Sequence, residues 1–468
     1  MEPKRKYDIV IFGATSFTGK YLVYEVLKAL SNGDKFSWAI AARSVDKMDE
    51  LIRSIEKDTG KDLSAVNKIT ADVYNPPSLV SMAKQAHVIL NCVGPYLQWG
   101  EAVVKACSEE GTHHLDLSGE PLFLGRMEQK YSAVAEDSGA YIIGACGFDS
   151  IPADYGASYL QQNFEGDINS IECFVDIGSD NSSVSTLHYG TYHSGVLMMH
   201  RIRELLPLKR QLSQDYNPPK PTYKLPFRPI MYRNEINSWC MFVPFPDGDV
   251  MERTQRYAFL KEKRKPVQTR AYIQFPSLFI ALFVLIGSFF LGLLAQFKFG
   301  LRLLEKHPKL FSLGYASHEG PSVEDMNKTK FTFTLVAKGW SNSQEHHSEP
   351  PNKVKILKVR GTNPAYGGTV TLFLQAAITI IAERERMPSK GGVYSPGIAF
   401  ARTTLIDRLN RNGVTFSLQK DQTNQANSGF LGAKLVYTTG RIESSSSQVF
   451  YLTHTHSITG KICPVLVT

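Results

Sequence analysis

Paired cysteines are missing. The 468 residues include six cysteines, Cys92, Cys107, Cys146, Cys173, Cys240 and Cys463, and no two stand in a CxxC spacing. This argues against a zinc ribbon or a disulfide framework and for buried thiols in a reducing compartment. A strong charge imbalance is also missing. The net charge is +8 with pI near 8.9, and the basic residues are scattered or flank one apolar run, so no nucleic-acid partner is expected. The N-terminus, MEPKRKYDIV, lacks the apolar run of a secretory leader. The glycosylation-like triplets at Asn181 and Asn327 are therefore not read as modified. No internal repeat is visible. His113, His114 and Asp116 resemble a metal trio, but strand geometry sends neighbouring side chains to opposite faces. Packing is the better reading there, and no metal is expected.

What is present is an alternation. Short apolar runs at Asp8–Phe12, Phe36–Ala41, Asn67–Ala71, Val88–Cys92, His113–Leu117 and Ala140–Ala145 read as strands buried on both faces. Between them, Thr18–Leu30, Val45–Thr59, Pro76–Lys84, Gly100–Glu110 and Pro121–Ser138 read as helices. Residues 1–150 are therefore expected to form a Rossmann-type, doubly wound parallel sheet, so the fold class is α/β. Residues 151–390 read as a second, α+β domain for substrate binding and a possible homodimer contact. Expected elements after Pro152 are strands at Ile168–Ile177, Lys330–Lys338 and Lys353–Gly361, and helices at Thr186–Leu206, Thr369–Arg386 and Arg402–Asn412. The proline-rich NPPKPTYKLPFRP reads as a loop. Residues 418–468, with the run Ser444–Ser447, read as a disordered tail.

The first strand–helix junction, IVIFGATSFTGKYL, has the context of a dinucleotide site. Gly13 can take a tight turn and Gly19 allows close helix–strand packing. Thr15, Ser16, Phe17 and Thr18 stand where free N–H groups and the helix dipole favour a phosphate. Ser16 replaces the usual middle glycine, and its hydroxyl could bond a phosphate oxygen. Without any ligand, the same turn would need only a helix cap from Thr15 or Ser16. Strand two ends at Arg43-Ser44 where NAD sites carry an acid. A guanidinium matches a 2′-phosphate, which favours NADP(H) over NAD. Asp72 could accept from an adenine amino group or cap the next helix. The fourth strand ends in NCVGPY, where Asn91, Cys92, Val93 and Gly94 would lie near a nicotinamide ribose. All these positions fall at carboxyl ends of strands, where open α/β sheets bind ligands.

GATSFTG, AARS, NCVGPY, LDLSGE, GFDSIPAD and GGVYSPGIAF together resemble the saccharopine dehydrogenase-like oxidoreductases, over roughly Tyr7 to Ser417. The resemblance is greatest to the animal, lipid-droplet-associated branch. The family also includes bacterial trans-acting enoyl reductases that act on long lipid chains. The resemblance implies a Rossmann domain with an α+β partner, an NAD(P)H-linked reaction, and a segment, residues 391–417, that returns to the first domain. Family members usually have glycine at the position of Ser16. The family name does not make saccharopine the substrate, since a substrate with several carboxylates would need clustered arginines.

From Ala271 to Phe297 no residue is charged. This exceeds the roughly 20 residues that cross a bilayer as a helix, and a core helix would show a polar face. The segment 271–297 is expected to insert into a lipid monolayer or membrane, on a lipid droplet or the cytosolic face of the endoplasmic reticulum. Lys261, Lys263, Arg264, Lys265 and Arg270 precede it, and Lys298, Arg302, Lys306 and Lys309 follow, so charge gives no orientation. If the later chain rejoins the first domain, both flanks lie on one side. A hairpin turning at Gly287-Ser288, or an in-plane helix, then fits better than a span.

No catalytic residue is assigned. Tyr96, His188, Tyr189, Tyr192 and His193 are candidate proton donors, each better explained by ordinary packing or a satisfied surface side chain, and no Tyr-x-x-x-Lys pair follows the fourth strand. Two functions stay open: an NADP(H)-dependent reductase of a lipophilic small molecule at a lipid surface, and a cofactor-holding droplet scaffold without turnover. Soluble saccharopine chemistry is a third.

Overall fold

The computed structural model describes residues 5–179, 187–243, 246–343, 349–419 and 422–423. The tail, including Ser444–Ser447, lies outside them. In chain order the first half runs β1 (Tyr7–Phe12), α1 (Phe17–Ser31), β2 (Trp38–Ala42), α2 (Val45–Thr59), β3 (Asn67–Thr70), α3 (Pro76–Ala83) and β4 (Ala86–Asn91). It continues with α4 (Tyr96–Glu109), β5 (His113–Asp116), α5 (Pro121–Ser138), β6 (Tyr141–Ile143) and α6 (Gly156–Gln162). Then follow β7 (Asp167–Ser179), β8 (Leu187–His188), α7 (Tyr189–His200), α8 (Ile202–Leu212), β9 (Ile230–Arg233) and β10 (Ser238–Phe242). Next come α9 (Pro246–Glu262), β11 (Gln268–Phe275), α10 (Leu278–Ala295), α11 (Lys298–Lys306), α12 (Pro308–Phe311) and β12 (Ala316–Ser317). The chain ends with α13 (Val323–Lys328), β13 (Thr329–Trp340), β14 (Lys353–Thr362), α14 (Thr369–Ala382), β15 (Gly392–Tyr394), α15 (Pro396–Ala399), α16 (Leu405–Arg411), β16 (Thr415–Leu418) and β17 (Gln422–Thr423).

The first sheet has seven strands in the order β15-β6-β5-β4-β1-β2-β3, all parallel. This is the Rossmann order, extended by one strand, and its reversal between β1 and β4 is the crevice where such sheets bind ligands. One face is covered by α3, α4 and α5 through Val10, Phe12, Ile89, Val103 and Phe123. The other is covered by α1, α2 and α14 through Ile9, Ile11, Leu22, Met48, Leu372 and Phe373. Burial on both faces explains why each strand reads as an unbroken apolar run.

The second sheet is mixed, ordered β16-β14-β13-β7-β11-β10-β9, with β17 also pairing β14. Its strands share one core with the first sheet, in which Phe331, Phe333, Leu335 and Leu357 join residues of β1 and α14. The described residues form one compact unit. The segment from Gly391 divides its loyalty: β15 pairs with β6 in the first sheet, while β16 pairs with β14 in the second. The register Val359↔Phe416 and Leu357↔Leu418 carries ordered strand into residue 418, the expected start of the tail.

The expected helix Thr186–Leu206 is two helices. His188 is extended and caps α7 by accepting from the Gly190 N–H, and Arg201 between α7 and α8 is not helical. The apolar segment 271–297 also divides. Ala271–Phe275 belongs to β11, which lies between β7 and β10; a strand enclosed this way is as apolar as a membrane helix. Ser277 then caps α10, accepting from the Ile280 N–H. The helix runs unbroken through Gly287-Ser288, so the expected hairpin does not form. Nor do the preceding basic residues flank it: Lys263, Arg264 and Lys265 lie beyond the far end of β11, about 26 Å of strand away.

Among the described residues two helices are apolar and long enough to cross a bilayer, and burial separates them. The stretch Pro364–Ala382, which contains α14, is 78% buried, against 11% for α10. Along α10, Ala281 and Ala295 face the protein, while Phe279, Phe283, Ile286, Phe289 and Phe290 face out, each more than half exposed. Both ends are held. The start follows a sheet strand, and at the other end His200 Nδ1 lies 2.7 Å from the Ala295 carbonyl while Gln296 Nε2 donates to the Met199 carbonyl at 2.7 Å. Urea unfolding in detergent-free buffer checks this contrast. Phe373→Ala, in the core, should cost about 3–5 kcal/mol. Phe283→Ser should stay within about 0.5 kcal/mol, as for an ordinary surface position.

Candidate functional site

At the β1–α1 turn, Gly13 has φ +81°, a conformation L side chains rarely adopt. A Cβ on Gly13 would stand 2.7 Å from Val93 Cγ2, and one on Gly19 would stand 2.2 Å from the Gly13 carbonyl oxygen. Both glycines are thus demanded by close approach. The Ser16 hydroxyl accepts from the Gly19 N–H at 3.0 Å, so the serine caps α1 and its own O–H remains able to donate. Thr15 is exposed, and Phe17 and Thr18 are half-buried. At this end of a helix the leading N–H groups have no intrahelical acceptor. The Phe17 ring turns toward the second half of the chain, stacked 4.7 Å from His188 and edge-on 4.6 Å from Tyr366.

The Gly13 and Ala14 N–H groups both bond the Ala41 carbonyl, which brings the end of β2 beside the turn. Ser44 caps α2, accepting from the Lys47 N–H. Arg43 is exposed and makes no ion pair or hydrogen bond among the described residues. Asp72 closes its own turn by accepting from the Tyr74 N–H at 3.0 Å. Asn91 is fully buried. Its Oδ1 accepts from the Val93 N–H at 3.0 Å, and its carbonyl accepts from the Tyr96 hydroxyl at 3.0 Å. Cys92 is buried too, and burial pushes its thiol up to about 12. The side chains of Asn91 and Cys92 therefore shape the loop, while half-buried Val93 and exposed Gly94 form its accessible part.

Beside this loop stands a group of carboxyls. Glu120 is fully buried and holds the start of α4, accepting from Tyr96 N–H at 3.0 Å and Leu97 N–H at 2.6 Å. Burial raises its pKa. Asp116 Oδ1 accepts from Ser118 N–H at 2.9 Å and Ala145 N–H at 3.0 Å, and burial pushes the carboxyl up to about 7. Asp149, after β6, is only part-buried by surface, yet desolvation pushes it up to about 6. Asp247, at the start of α9, is buried, and its Oδ1 has no hydrogen-bond partner. Burial, followed by the charges of Asp149 and Asp154, raises it well above the usual range. Pro246 and Asp149 both come within 4 Å of where a Cβ on Gly119 would stand, which brings α9 to the ends of β5 and β6. Such groups can hold protons near neutral pH. His113 and His114 make separate contacts, with Tyr141 N–H and Asn91, and burial pushes both down to about 3.

Residues 9–143 match the saccharopine dehydrogenase NADP binding domain family. Over 425 residues, 89% of this chain and 98% of the relative, the sequence is 37% identical to a mouse saccharopine dehydrogenase-like oxidoreductase. It is 34% identical to a Caenorhabditis elegans protein named lipid droplet localized protein, over 89% of this chain and 99% of that one. The fold is also similar to apo saccharopine dehydrogenase (L-Glu forming) from Saccharomyces cerevisiae, with a TM-score of 0.50 at 11% identity, covering 88% and 100% of the two chains. The chain belongs to the saccharopine dehydrogenase-like oxidoreductases.

In this member, the sequence pointed to the glycine turn and Arg43 but passed over the carboxyls. Glu120 lies 24 residues from the helix it caps, and only LDLSGE hinted at it. Asp247 has no motif to mark it. Of the candidate proton donors, Tyr96 is tied down by Asn91 and by the Leu117 N–H at 3.2 Å. His193 lies 3.1 Å from Glu305 and Tyr192 donates to the Leu304 carbonyl, so both fasten helices together.

A carboxyl whose folded pKa lies above its unfolded value of about 4 binds extra protons in the native state. For Asp116 that stabilisation is complete below about pH 4 and is lost as pH rises through about 7. Asp116→Asn keeps the oxygen acceptor and titrates nothing. In urea unfolding from pH 4 to 8, the native protein should lose stability relative to this variant as pH rises. Parallel curves would count against a buried neutral carboxyl.

Proposed function

We propose that this protein is an NADP(H)-dependent oxidoreductase that sits on a lipid surface and reduces a lipophilic substrate. The observation that carries the reading is α10, an apolar helix with its outer face bare, held at both ends to the body that bears the cofactor turn. Nine large apolar side chains of α10 are exposed. Inserting them would release roughly 1 kcal/mol each at half exposure, on the order of 10 kcal/mol together. With both ends fixed to one body, the helix lies in the interface rather than across it. A lipid droplet, or the cytosolic face of the endoplasmic reticulum, offers such a surface.

In this reading Gly13 and Gly19 let the turn close tightly beneath the pyrophosphate, and the N–H groups of Thr15, Phe17 and Thr18 with the Ser16 O–H donate to it. Arg43 and Ser44 hold the 2′-phosphate, Asp72 faces the adenine, and Val93 and Gly94 border the nicotinamide ribose, on a loop shaped by Asn91 and Cys92. NADPH supplies a hydride when bound. The carbanion or alkoxide left on the substrate needs a proton, and we assign its delivery to Asp149, part-exposed and with its carboxyl pushed up to about 6 by desolvation. The same carboxyls argue against saccharopine, because a site edge built of Asp116, Glu120, Asp149 and Asp247 brings no positive charge to balance a substrate with several carboxylates.

Fluorescence titration should show NADPH binding at least about ten-fold tighter than NADH, the worth of one charge-assisted contact. Arg43→Ala should bring the two together; equal affinities in the unmodified protein would defeat the 2′-phosphate assignment. Extracted droplet lipid should then provoke NADPH oxidation. Silence across lipid classes, with cofactor binding intact, would overturn the reductase and leave the scaffold.

A further inference from the structure

Beyond α10 the chain turns into α11, whose face pattern is different. Gly300 and Leu304 face the protein, Leu304 packing with Val196 and Ala295. Lys298, Arg302 and Lys306 are all exposed and recur at i, i+4 and i+8, so they form one stripe along the helix. Among the described residues none of the three has an acidic partner. The one acid on the helix, Glu305, lies 3.1 Å from His193 of α7 and is drawn away from the stripe. Stacked like charges destabilise a helix, so the arrangement works against local stability unless an anion lies over it. Phe297 and Phe299, 66% and 74% exposed, stand beside the stripe, and Leu310 and Leu313 continue the apolar surface at 68% and 64%. Cations interleaved with exposed aromatic and aliphatic side chains, next to an apolar helix, match the level of lipid headgroups.

We propose that α11 recognises anionic phospholipid headgroups through Lys298, Arg302 and Lys306, so that the protein selects negatively charged lipid surfaces. This rests on the lipid-docking reading of α10: the apolar helix supplies insertion, and the basic stripe supplies the choice of surface. A cation close to an anionic membrane gains roughly five-fold in binding, and three should give on the order of 100-fold at low salt. The attraction weakens as salt shortens the screening length.

Flotation of the full chain with phosphatidylcholine vesicles, and with vesicles containing one quarter phosphatidylserine, tests this. The protein should bind both, and the anionic vesicles far more tightly, with the preference shrinking at high salt. The triple variant Lys298→Gln, Arg302→Gln, Lys306→Gln should keep its binding to neutral vesicles and lose the preference. A variant of the outer face of α10, Phe283→Ser with Phe289→Ser, should lose the neutral binding. Equal binding of the unmodified protein to both compositions, or a preference that survives in the triple variant, would overturn the headgroup assignment while leaving docking intact. Failure to float with either composition would instead overturn docking itself.

Discussion

The cofactor half depends on a close approach between the amino end of α1 and the turn it leaves. Gly19 sits where any Cβ would collide with the Gly13 carbonyl, and Gly13 sits where any Cβ would collide with Val93. These contacts press three strand ends, β1, β2 and β4, into one narrow edge. Everything that makes the edge a site follows: the exposed Arg43, the N–H groups of the first turn, and the loop braced by Asn91 and Tyr96. Ser16 fits this constraint better than its departure from the family's usual glycine suggests. Its side chain points back into the helix and holds the Gly19 N–H, so the substitution strengthens the turn that the glycines allow.

Much of this was legible in the residues. Helices α2 and α5 have the expected boundaries, and six of the seven strands of the first sheet fall within a few residues of theirs, because strands buried on both faces and helices with caps leave strong local patterns. What was not legible depends on distant partners. Helix α4 begins at Tyr96 rather than Gly100 because Glu120 arrives from the next strand–helix junction to hold its free N–H groups. The run from Ala271 to Phe297 looked uniform because hydrophobicity cannot tell an enclosed strand from a lipid-facing helix. Only the neighbours β7 and β10 separate the two. The carboxyls at the ends of β5 and β6 gather from Asp116, Asp149 and Asp247, which no spacing rule connects.

Helix α7 ties the cofactor turn to the apolar helix. At its start His188 stacks on Phe17 of the cofactor turn, and along its length Tyr192, His193 and His200 bond residues of α10 and α11. The apolar arm is therefore a rigid extension of the body. Membrane hydrophobicity alone would have allowed a loose tether; the hydrogen bonds of α7 do not.

Strand β15 completes the first sheet beside β6, although some 250 residues separate their positions in the chain. During synthesis the chain emerges from its amino end, so α10 leaves the ribosome about 100 residues before the last strand of the first sheet exists. For that interval an apolar helix is displayed by a body still missing a strand. The order of translation gives the helix its first choice between chaperone, lipid and solvent before the protein is able to finish folding.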